Sequence, residues 1–191
     1  MSGALAYKEE YEEYELINGE VYMMARPSYE HMRTEGNIFG LFDNYLRGKR
    51  CKAAFEMDVY LNEKDYVIPD VMIVCNPELF KDGKVKGAPD LVVEILSPST
   101  ARKDKLLKKA LYEKYGVKEY WVVDPLRKTI EIYRLIDEHL VFDNFYAYYS
   151  VQDLERMNDE DKAATKEQQL IKVSLYDDFT IEVAEVFRGV D

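Results

Sequence analysis

The chain has 191 residues, 47% hydrophobic and 33% charged, a composition typical of a soluble globular protein that buries its own core. Its formal net charge of −11 argues against tight non-specific binding to nucleic acid, because affinity for phosphate backbones comes mainly from Lys and Arg. No apolar run approaches the length of a membrane span, and the acidic N-terminus is unlike a signal peptide. We therefore expect a single cytoplasmic domain over residues 1–191, with no membrane partner.

The two cysteines carry little information about chemistry. Cys51 and Cys75 form no CxxC pair and have no histidine cluster nearby, so we expect reduced, partly buried thiols and no structural zinc site.

The first third of the chain predicts a hairpin and a long helix. Alternating residues flank Asn18-Gly19, which predicts a β-hairpin from Tyr14 to Met24. Pro27-Ser28 then introduces a helix from about Tyr29 to Arg47, which Gly48 ends. The apolar spacing gives the helix five candidate inner positions: Met32, Ile38, Phe39, Phe42 and Leu46.

The middle of the chain predicts strands on both sides of one helix. Strands are expected over Ala53 to Leu61, Val67 to Cys75 and Leu91 to Leu96, the last apolar and β-branched throughout except for Glu94. A helix from Ala101 to Tyr115, with Thr100 as its N-cap, leads to a strand over Lys118 to Val123. A helix that joins two such strands is typical of a parallel crossover.

The C-terminal part predicts two more strands, over Thr129 to Leu135 and Val141 to Val151. Residues 152–169 are polar and helix-prone and are interpreted as an insertion, and Ile171 to Val186 adds a short strand and a last amphipathic turn. This order predicts an α/β fold of the mixed, α+β type, with a central mixed sheet flanked by helices and an N-terminal hairpin.

Two carboxylates in apolar surroundings are the strongest functional signal. Glu94 lies inside the strand that reads as central, where an unpaired carboxylate costs several kcal/mol to bury. Asp70 follows Pro69 and opens the apolar run Val71 to Val74. Asp90 also follows a proline, but four residues before Glu94 it lies roughly 13 Å away along the strand, too far to share one ion.

The basic residues of the chain are concentrated after these strands. Residues 101–118 carry seven basic and two acidic side chains, whereas residues 1–20 carry one basic and six acidic ones. Asp104 and Lys108 share a face of the predicted helix, because residues four apart are neighbours on a helix surface. An ammonium beside two carboxylates suits a divalent-cation phosphodiesterase site.

These residues resemble the Uma-two family of restriction endonucleases within the PD-(D/E)xK nuclease superfamily. The resemblance covers roughly Tyr14 to Leu135. The matching strings are Tyr14-Glu15-Leu16-Ile17-Asn18-Gly19-Glu20, Pro27 with His31, Ile68-Pro69-Asp70-Val71, Pro89 to Thr100, Asp104 with Lys108 and Tyr112, and Gly116 to Pro125.

The resemblance implies a Mg²⁺-dependent DNA endonuclease that acts as a homodimer, with Mn²⁺ able to substitute and no small-molecule cofactor. Asp70, Glu94 and the backbone carbonyl of Ile95 would hold the metal, since Mg²⁺ prefers oxygen ligands. The superfamily pattern places a lysine two residues after the acid, where this chain has Leu96. Lys108 is the matching position on the following helix, and Lys105 is the alternative.

Several candidates have a structural interpretation beside the functional one. Glu20 is an accessory metal ligand or a hairpin surface charge, and His31 contacts phosphate or supports the helix start. Asp104 is mainly the acid of a helix first turn. Ser97 has no histidine at a recognisable spacing, so a serine nucleophile is not expected.

Two other classes of function remain open. The net charge and the missing lysine favour a nuclease fold that binds nucleic acid or a protein without cutting. A weaker alternative is an acidic oligomeric interaction protein that uses residues 152–169 as its contact element.

Overall fold

The computed structural model describes residues 13–98 and 100–190. Its strands are β1 (Tyr14–Ile17), β2 (Glu20–Met23), β3 (Lys52–Phe55), β4 (Val59–Tyr60), β5 (Tyr66–Val67), β6 (Val71–Val74), β7 (Phe80–Lys81), β8 (Lys84–Lys86), β9 (Leu91–Ile95), β10 (Glu119–Asp124), β11 (Thr129–Ile136), β12 (His139–Ala147), β13 (Leu170–Lys172) and β14 (Thr180–Glu182). They form a central mixed sheet in the order β12-β11-β10-β9-β6-β3, a smaller sheet in the order β2-β1-β5-β4-β8-β7, and the hairpin β13-β14.

The helices are of three kinds. The α-helices are α1 (Tyr29–Leu46), α2 (Lys109–Lys114), α3 (Val151–Arg156), α4 (Asp159–Glu167) and α5 (Val183–Val186). A 3₁₀-helix covers Pro77–Leu79, and a π-helix covers Lys103–Lys108 and continues directly into α2. The mixed α/β class predicted from the order of elements is confirmed.

The N-terminal hairpin forms where the Asn-Gly signal predicts it. Asn18 and Gly19 both have positive φ angles, 53° and 82°, as a two-residue turn of type I′ requires. Gly19 is suited to this turn because it lacks a Cβ. The turn pairs β1 with β2, in which Glu15 is buried and Glu20, next to the turn, is exposed.

Helix α1 begins and ends close to the predicted bounds. The Ser28 side chain accepts a hydrogen bond from the His31 N–H, and Ile38, Phe42 and Leu46 are buried as predicted. Met32 is 51% exposed, so its assignment to the core is wrong. In the first turn of α1 the buried face is occupied by His31 rather than Met32, and this face borders a polar pocket.

The two strands predicted over Ala53 to Leu61 and Val67 to Cys75 are each divided between the two sheets. Glu56 has a φ of 43°, which is incompatible with a continuous strand and separates β3 from β4. Pro69 cannot donate to a ladder and separates β5 from β6. This break leaves Asp70 at the start of β6, at the end of the central sheet.

The predicted parallel crossover is confirmed. β9 and β10 pair in parallel, with Glu94 beside Val122, and the π-helix and α2 lie between them in the chain. All five residues of β9 are buried, which is typical of a central strand covered on both faces.

Apolar layers cover both faces of the central sheet. One face packs Val71, Val93 and Trp121 against α1 and the C-terminal segment. The opposite face packs Met72 and Val92 against Leu111 and Tyr112 of α2 and against the smaller sheet. Glu94 projects toward the second layer, together with Val92, because alternate residues of a strand share a face.

The expectation of reduced thiols is wrong. Cys51 and Cys75 form a disulfide. They stand opposite each other one step beyond the Lys52–Val74 pair of β3 and β6, and sequence spacing could not reveal that register. The expected cytoplasmic location was based partly on free thiols. The disulfide removes that support, because disulfides are uncommon in reducing compartments.

The polar segment 152–169 forms the short helices α3 and α4. Their helical character agrees with the sequence, whereas the single-domain assignment stays a prediction. Among residues 13–98 and 100–190, no helix is long and apolar enough to cross a membrane.

Candidate active site

A pocket of about 340 Å³ opens where the central sheet, α1, the N-terminal hairpin and the π-helix meet. Seven acidic residues line it: Glu13, Glu15, Glu30, Glu56, Asp70, Glu94 and Asp104. Its basic lining residues are Arg26, Lys103 and Lys108, with His31 beside them. The pocket therefore has a marked excess of negative charge.

The two carboxylates singled out in the sequence lie side by side in it. β6 and β9 are antiparallel, and Asp70 stands opposite Glu94 one step beyond the Val71–Val93 pair. Directly opposite residues of an antiparallel pair project to the same face. Asp70 Oδ2 also accepts a hydrogen bond from the Ile95 N–H at 2.5 Å, which fixes the Asp70 carboxylate at the start of its strand.

Lys108 reaches this pair of acids from the π-helix. Its Nζ lies 2.8 Å from Glu94 Oε2 and 4.0 Å from Asp104 Oδ1, and its side chain is only 3% exposed. Burial lowers the pKa of the Lys108 ammonium, but the surrounding carboxylates outweigh burial and raise the pKa well above its ordinary value. Lys108 therefore stays charged throughout the physiological pH range.

Glu94 is held at both oxygens. Tyr112 donates its hydroxyl to Glu94 Oε1 at 2.5 Å, while Lys108 donates to Oε2. Burial raises the pKa of the Glu94 carboxyl well above its ordinary value, and Lys108 opposes this shift. The ionised form of Glu94 thus depends on positive charge in its immediate surroundings.

Glu15 is a site residue that the sequence analysis missed. Its side chain is fully buried, and Oε1 lies 2.6 Å from Lys108 Nζ and accepts the Ile68 N–H at 3.2 Å. Oε2 lies 2.6 Å from Lys103 Nζ. Burial raises the Glu15 pKa, but Lys108 and Lys103 outweigh it and lower the pKa below its ordinary value. The alternation of β1, which puts Glu15 on the same face as the apolar Ile17, was the only available signal.

His31 and Asp104 complete the surroundings of the two acids. His31 Nε2 is 3.4 Å from Asp70 Oδ1, and its ring also contacts the Ile95 backbone. Burial lowers the His31 pKa, but the hydrogen bond to Asp70 and the negative charges of Asp70 and Glu35 together outweigh it and raise the pKa. Asp104 is 2% exposed, so it belongs to the buried cluster rather than to an exposed first turn.

Two other candidates, and Asp90, which the sequence already excluded, lie elsewhere. Glu20 is exposed on the hairpin and accepts a hydrogen bond from Tyr22. Lys105 pairs with Glu131 at 2.6 Å and does not line the pocket. Asp90 binds Lys118 at 2.7 Å and accepts the Cys75 N–H, a structural role outside the pocket.

Glu35 is a second buried acid near Asp70. It is 6% exposed, and its Oε1 has no hydrogen-bond partner among the described residues. Burial, together with the charges of Asp70 and Glu56, raises the Glu35 pKa to about 8. Glu35 therefore carries a proton at neutral pH.

The residues fit a divalent cation bound to oxygen ligands. Within the described part of the chain, no three His, Cys, Asp or Glu side chains form a ready-made metal site. The candidate set is instead two carboxylates and one backbone carbonyl, which suits a hard cation that keeps several waters. The excess of acidic side chains in the pocket lining calls for added positive charge.

Comparison with known proteins shows the family of the chain and a similar fold. The Uma2 family model, described as "Putative restriction endonuclease", matches residues 4–160. An uncharacterized protein from Synechocystis is 31% identical over 130 residues, which cover 66% of this chain and 68% of that protein. A crystal structure of a "putative nuclease belonging to DUF820" from Anabaena variabilis has a TM-score of 0.70 at 17% identity, and the match covers 95% of this chain and 94% of that one.

The fold is similar to that of the Anabaena protein over nearly the whole chain. The chain belongs to the Uma2 family of restriction-endonuclease-like proteins, as the resemblance in the sequence implied. At 17% identity the Anabaena structure supports the fold alone.

We predict that Lys108→Met lowers the free energy of unfolding by about 3–5 kcal/mol at pH 7.5, because it leaves Glu15 and Glu94 buried beside too little positive charge. In the variant the two carboxyls bind protons more readily, so their pKa values rise. An acid with a higher pKa in the folded state than in the unfolded state favours folding at low pH, and this contribution to stability is lost as the pH rises. The deficit is therefore larger at pH 7.5 than at pH 5, as measured by urea denaturation.

Lys109→Met is the matched control. Lys109 is the next residue, only partly buried, and its Nζ lies 4.8 Å from the centre of the Tyr133 ring. We expect its loss to cost under about 1 kcal/mol with no added pH dependence. Equal costs for the two variants would show that Lys108 is not the counter-ion of the buried acids.

We predict that Glu35→Gln stabilises the protein at alkaline pH. The pKa of Glu35 rises on folding from its ordinary value of 4.5 to about 8, so the folded state holds a proton that the unfolded state releases. This contribution is complete below the unfolded pKa and is lost as pH rises through about 8. Denaturation of wild type and variant between pH 5 and pH 9 should show a weaker decline for the variant. Parallel declines would contradict the shift.

Proposed function

We propose that this protein is a Mg²⁺-dependent endonuclease that hydrolyses phosphodiester bonds in DNA. The observation that carries the proposal is the placement of Asp70 and Glu94 opposite each other on adjacent strands, with the ammonium of Lys108 bound to Glu94. Membership of the Uma2 family supports the nuclease class.

In this proposal Asp70, Glu94 and the Ile95 carbonyl hold the cation, and Mn²⁺ can replace Mg²⁺. A bound divalent cation supplies Lewis-acid polarisation of a phosphoryl oxygen and makes a water more acidic. Asp70 is already oriented by the Ile95 N–H, and Tyr112 and Lys108 orient Glu94. His31 lies against Asp70, where it can contact a phosphate or orient Asp70.

Lys108 takes the role of the lysine that the superfamily places two residues after the acid. The position of that lysine is taken by Leu96, which is 9% exposed and packs in the apolar layer beside α2, next to the buried strand β9. Lys108 instead reaches Glu94 from the following helix. Its ammonium assists the attacking water or steadies negative charge that develops on the phosphate. Lys105, paired with Glu131 outside the pocket, is less well placed for this role.

Cutting both strands of a duplex requires two such sites, so we propose that the enzyme acts as a homodimer. Glu20 is exposed on the hairpin, and this position gives no support to its expected role as an accessory metal ligand.

One observation favours a second candidate function. Both oxygens of Glu94 already have protein partners, and the pocket lining is strongly acidic. A protein that keeps this arrangement would bind a nucleic acid or protein partner without cutting it. Absence of heat on titration with millimolar Mg²⁺ or Mn²⁺ would favour this function.

We predict that the wild type cleaves supercoiled plasmid or single-stranded DNA in Mg²⁺ or Mn²⁺, and that Asp70→Asn, Glu94→Gln and Lys108→Met each reduce the rate at least 100-fold. Each substitution removes a charge from the proposed centre while leaving the side chain close to its original size. The rates are measured on gels or with a fluorescent oligonucleotide, with and without EDTA.

Asp90→Asn is the matched control, because Asp90 also follows a proline and precedes a strand of the same sheet, but it binds Lys118. It should retain wild-type activity within about three-fold. Cleavage that survives Glu94→Gln, or that EDTA does not stop, would refute the proposed centre.

A further inference from the structure

Two lysines five residues apart bind the same carboxylate. Glu15 Oε1 lies 2.6 Å from Lys108 Nζ, and Glu15 Oε2 lies 2.6 Å from Lys103 Nζ. On an α-helix the surface neighbours are three and four residues apart, so Lys103 would not share a face with Lys108. Here the segment Lys103–Lys108 is a π-helix, in which the Lys109 N–H donates to the Asp104 carbonyl five residues earlier. The wider turn brings both ammonium groups within ion-pair distance of the Glu15 carboxylate.

The two lysines differ in their access to a ligand. Lys108 is 3% exposed, and its contacts are Glu15, Glu94 and Asp104, all inside the protein. Lys103 is 12% exposed and lines two spaces, the acidic pocket and an adjoining cavity of about 410 Å³. Glu15 is its one ion-pair partner among the described residues. An ammonium has three donors, so two remain for a ligand in the pocket.

We propose that Lys103 binds a phosphate oxygen of the substrate, and that Glu15 holds its ammonium in place for this contact. This inference rests on the proposed nuclease function and adds to it a substrate-binding residue outside the motif that the family resemblance identified. The ligand chemistry is a phosphodiester, whether it comes from single-stranded or duplex nucleic acid.

Charge favours a phosphate contact by this residue. A polyanion that approaches seven acidic lining residues is repelled unless a cation meets it. Lys108 is buried against Glu94 and cannot extend toward the pocket mouth without breaking two short ion pairs. Lys103 is already at the wall of the pocket, and the buried carboxylate of Glu15 limits the motion of its flexible stem.

The test compares Lys103→Met and Lys103→Arg with Lys105→Met. Lys105 is the matched control, since it lies on the same π-helix and has an equally short pair, 2.6 Å to Glu131, but does not line the acidic pocket. The probes are fluorescein-labelled single-stranded and duplex DNA oligonucleotides, cleaved in Mg²⁺ over a range of salt concentrations. Unfolding curves confirm that each variant is folded, and Lys103→Gln replaces Lys103→Met if the latter is not.

We expect Lys103→Met to raise KM at least ten-fold while kcat changes less than three-fold. The slope of log KM against log salt should become shallower by about 0.7–0.9, the loss of one phosphate contact. Lys103→Arg should keep most of the affinity, and Lys105→Met should keep both KM and slope. A purely structural role would lower the folded fraction without changing the salt slope.

Two results would overturn the inference alone: an unchanged KM and salt slope in Lys103→Met, or an equal loss in Lys105→Met, while the wild type still cleaves. A wild type that neither binds nor cleaves these DNA probes in Mg²⁺ or Mn²⁺ would instead overturn the proposed function and this inference with it. The larger KM effect, on the single strand or the duplex, identifies the form of substrate that Lys103 contacts.

Discussion

The buried ammonium of Lys108 is the constraint on which the rest of the site depends. Three acids from different parts of the chain surround it: Glu15 from the N-terminal hairpin, Glu94 from the central strand and Asp104 from its own helix. Such a cluster is stable only if its geometry and hydrogen bonds compensate for the lost hydration. The hairpin, the sheet and the π-helix must therefore dock in one relative position. That same position places Asp70 opposite Glu94 and leaves an acidic pocket that calls for a cation.

The π-helix has a role in this arrangement that an α-helix could not fill. Six residues, Lys103–Lys108, share the wider turn, and as a result two lysines meet one buried carboxylate. π-Helical turns are rare, and they are frequent at functional sites. Here the wider turn divides positive charge between an interior lysine that holds Glu94 and an accessible lysine at the wall of the pocket. Protein stability and the proposed phosphate contact thus depend on the same local geometry.

Much of this could be predicted from the sequence. The Asn-Gly turn, the apolar run around Glu94 and the helix between two strands carry local signals, and they gave the hairpin, the central strand and the parallel crossover. Asp70, Glu94 and Lys108 stood out because charges in apolar or periodic surroundings require partners. Glu15 and Lys103 did not, since their pairing depends on how the hairpin docks and on a π-turn that α-helical spacing does not predict. The break at Glu56 and the Cys51–Cys75 pair likewise follow from sheet register, which is a long-range property.

The most direct test of this account is anomalous diffraction from crystals soaked in Mn²⁺. The account predicts one strong anomalous peak in the acidic pocket, within coordination distance of Asp70, Glu94 and the Ile95 carbonyl. Lys108 should remain bound to Glu15. A peak only at other residues, or no peak in the pocket at saturating Mn²⁺ with Glu94 still bound to Tyr112 and Lys108, would contradict the claim that these acids form a divalent-cation site.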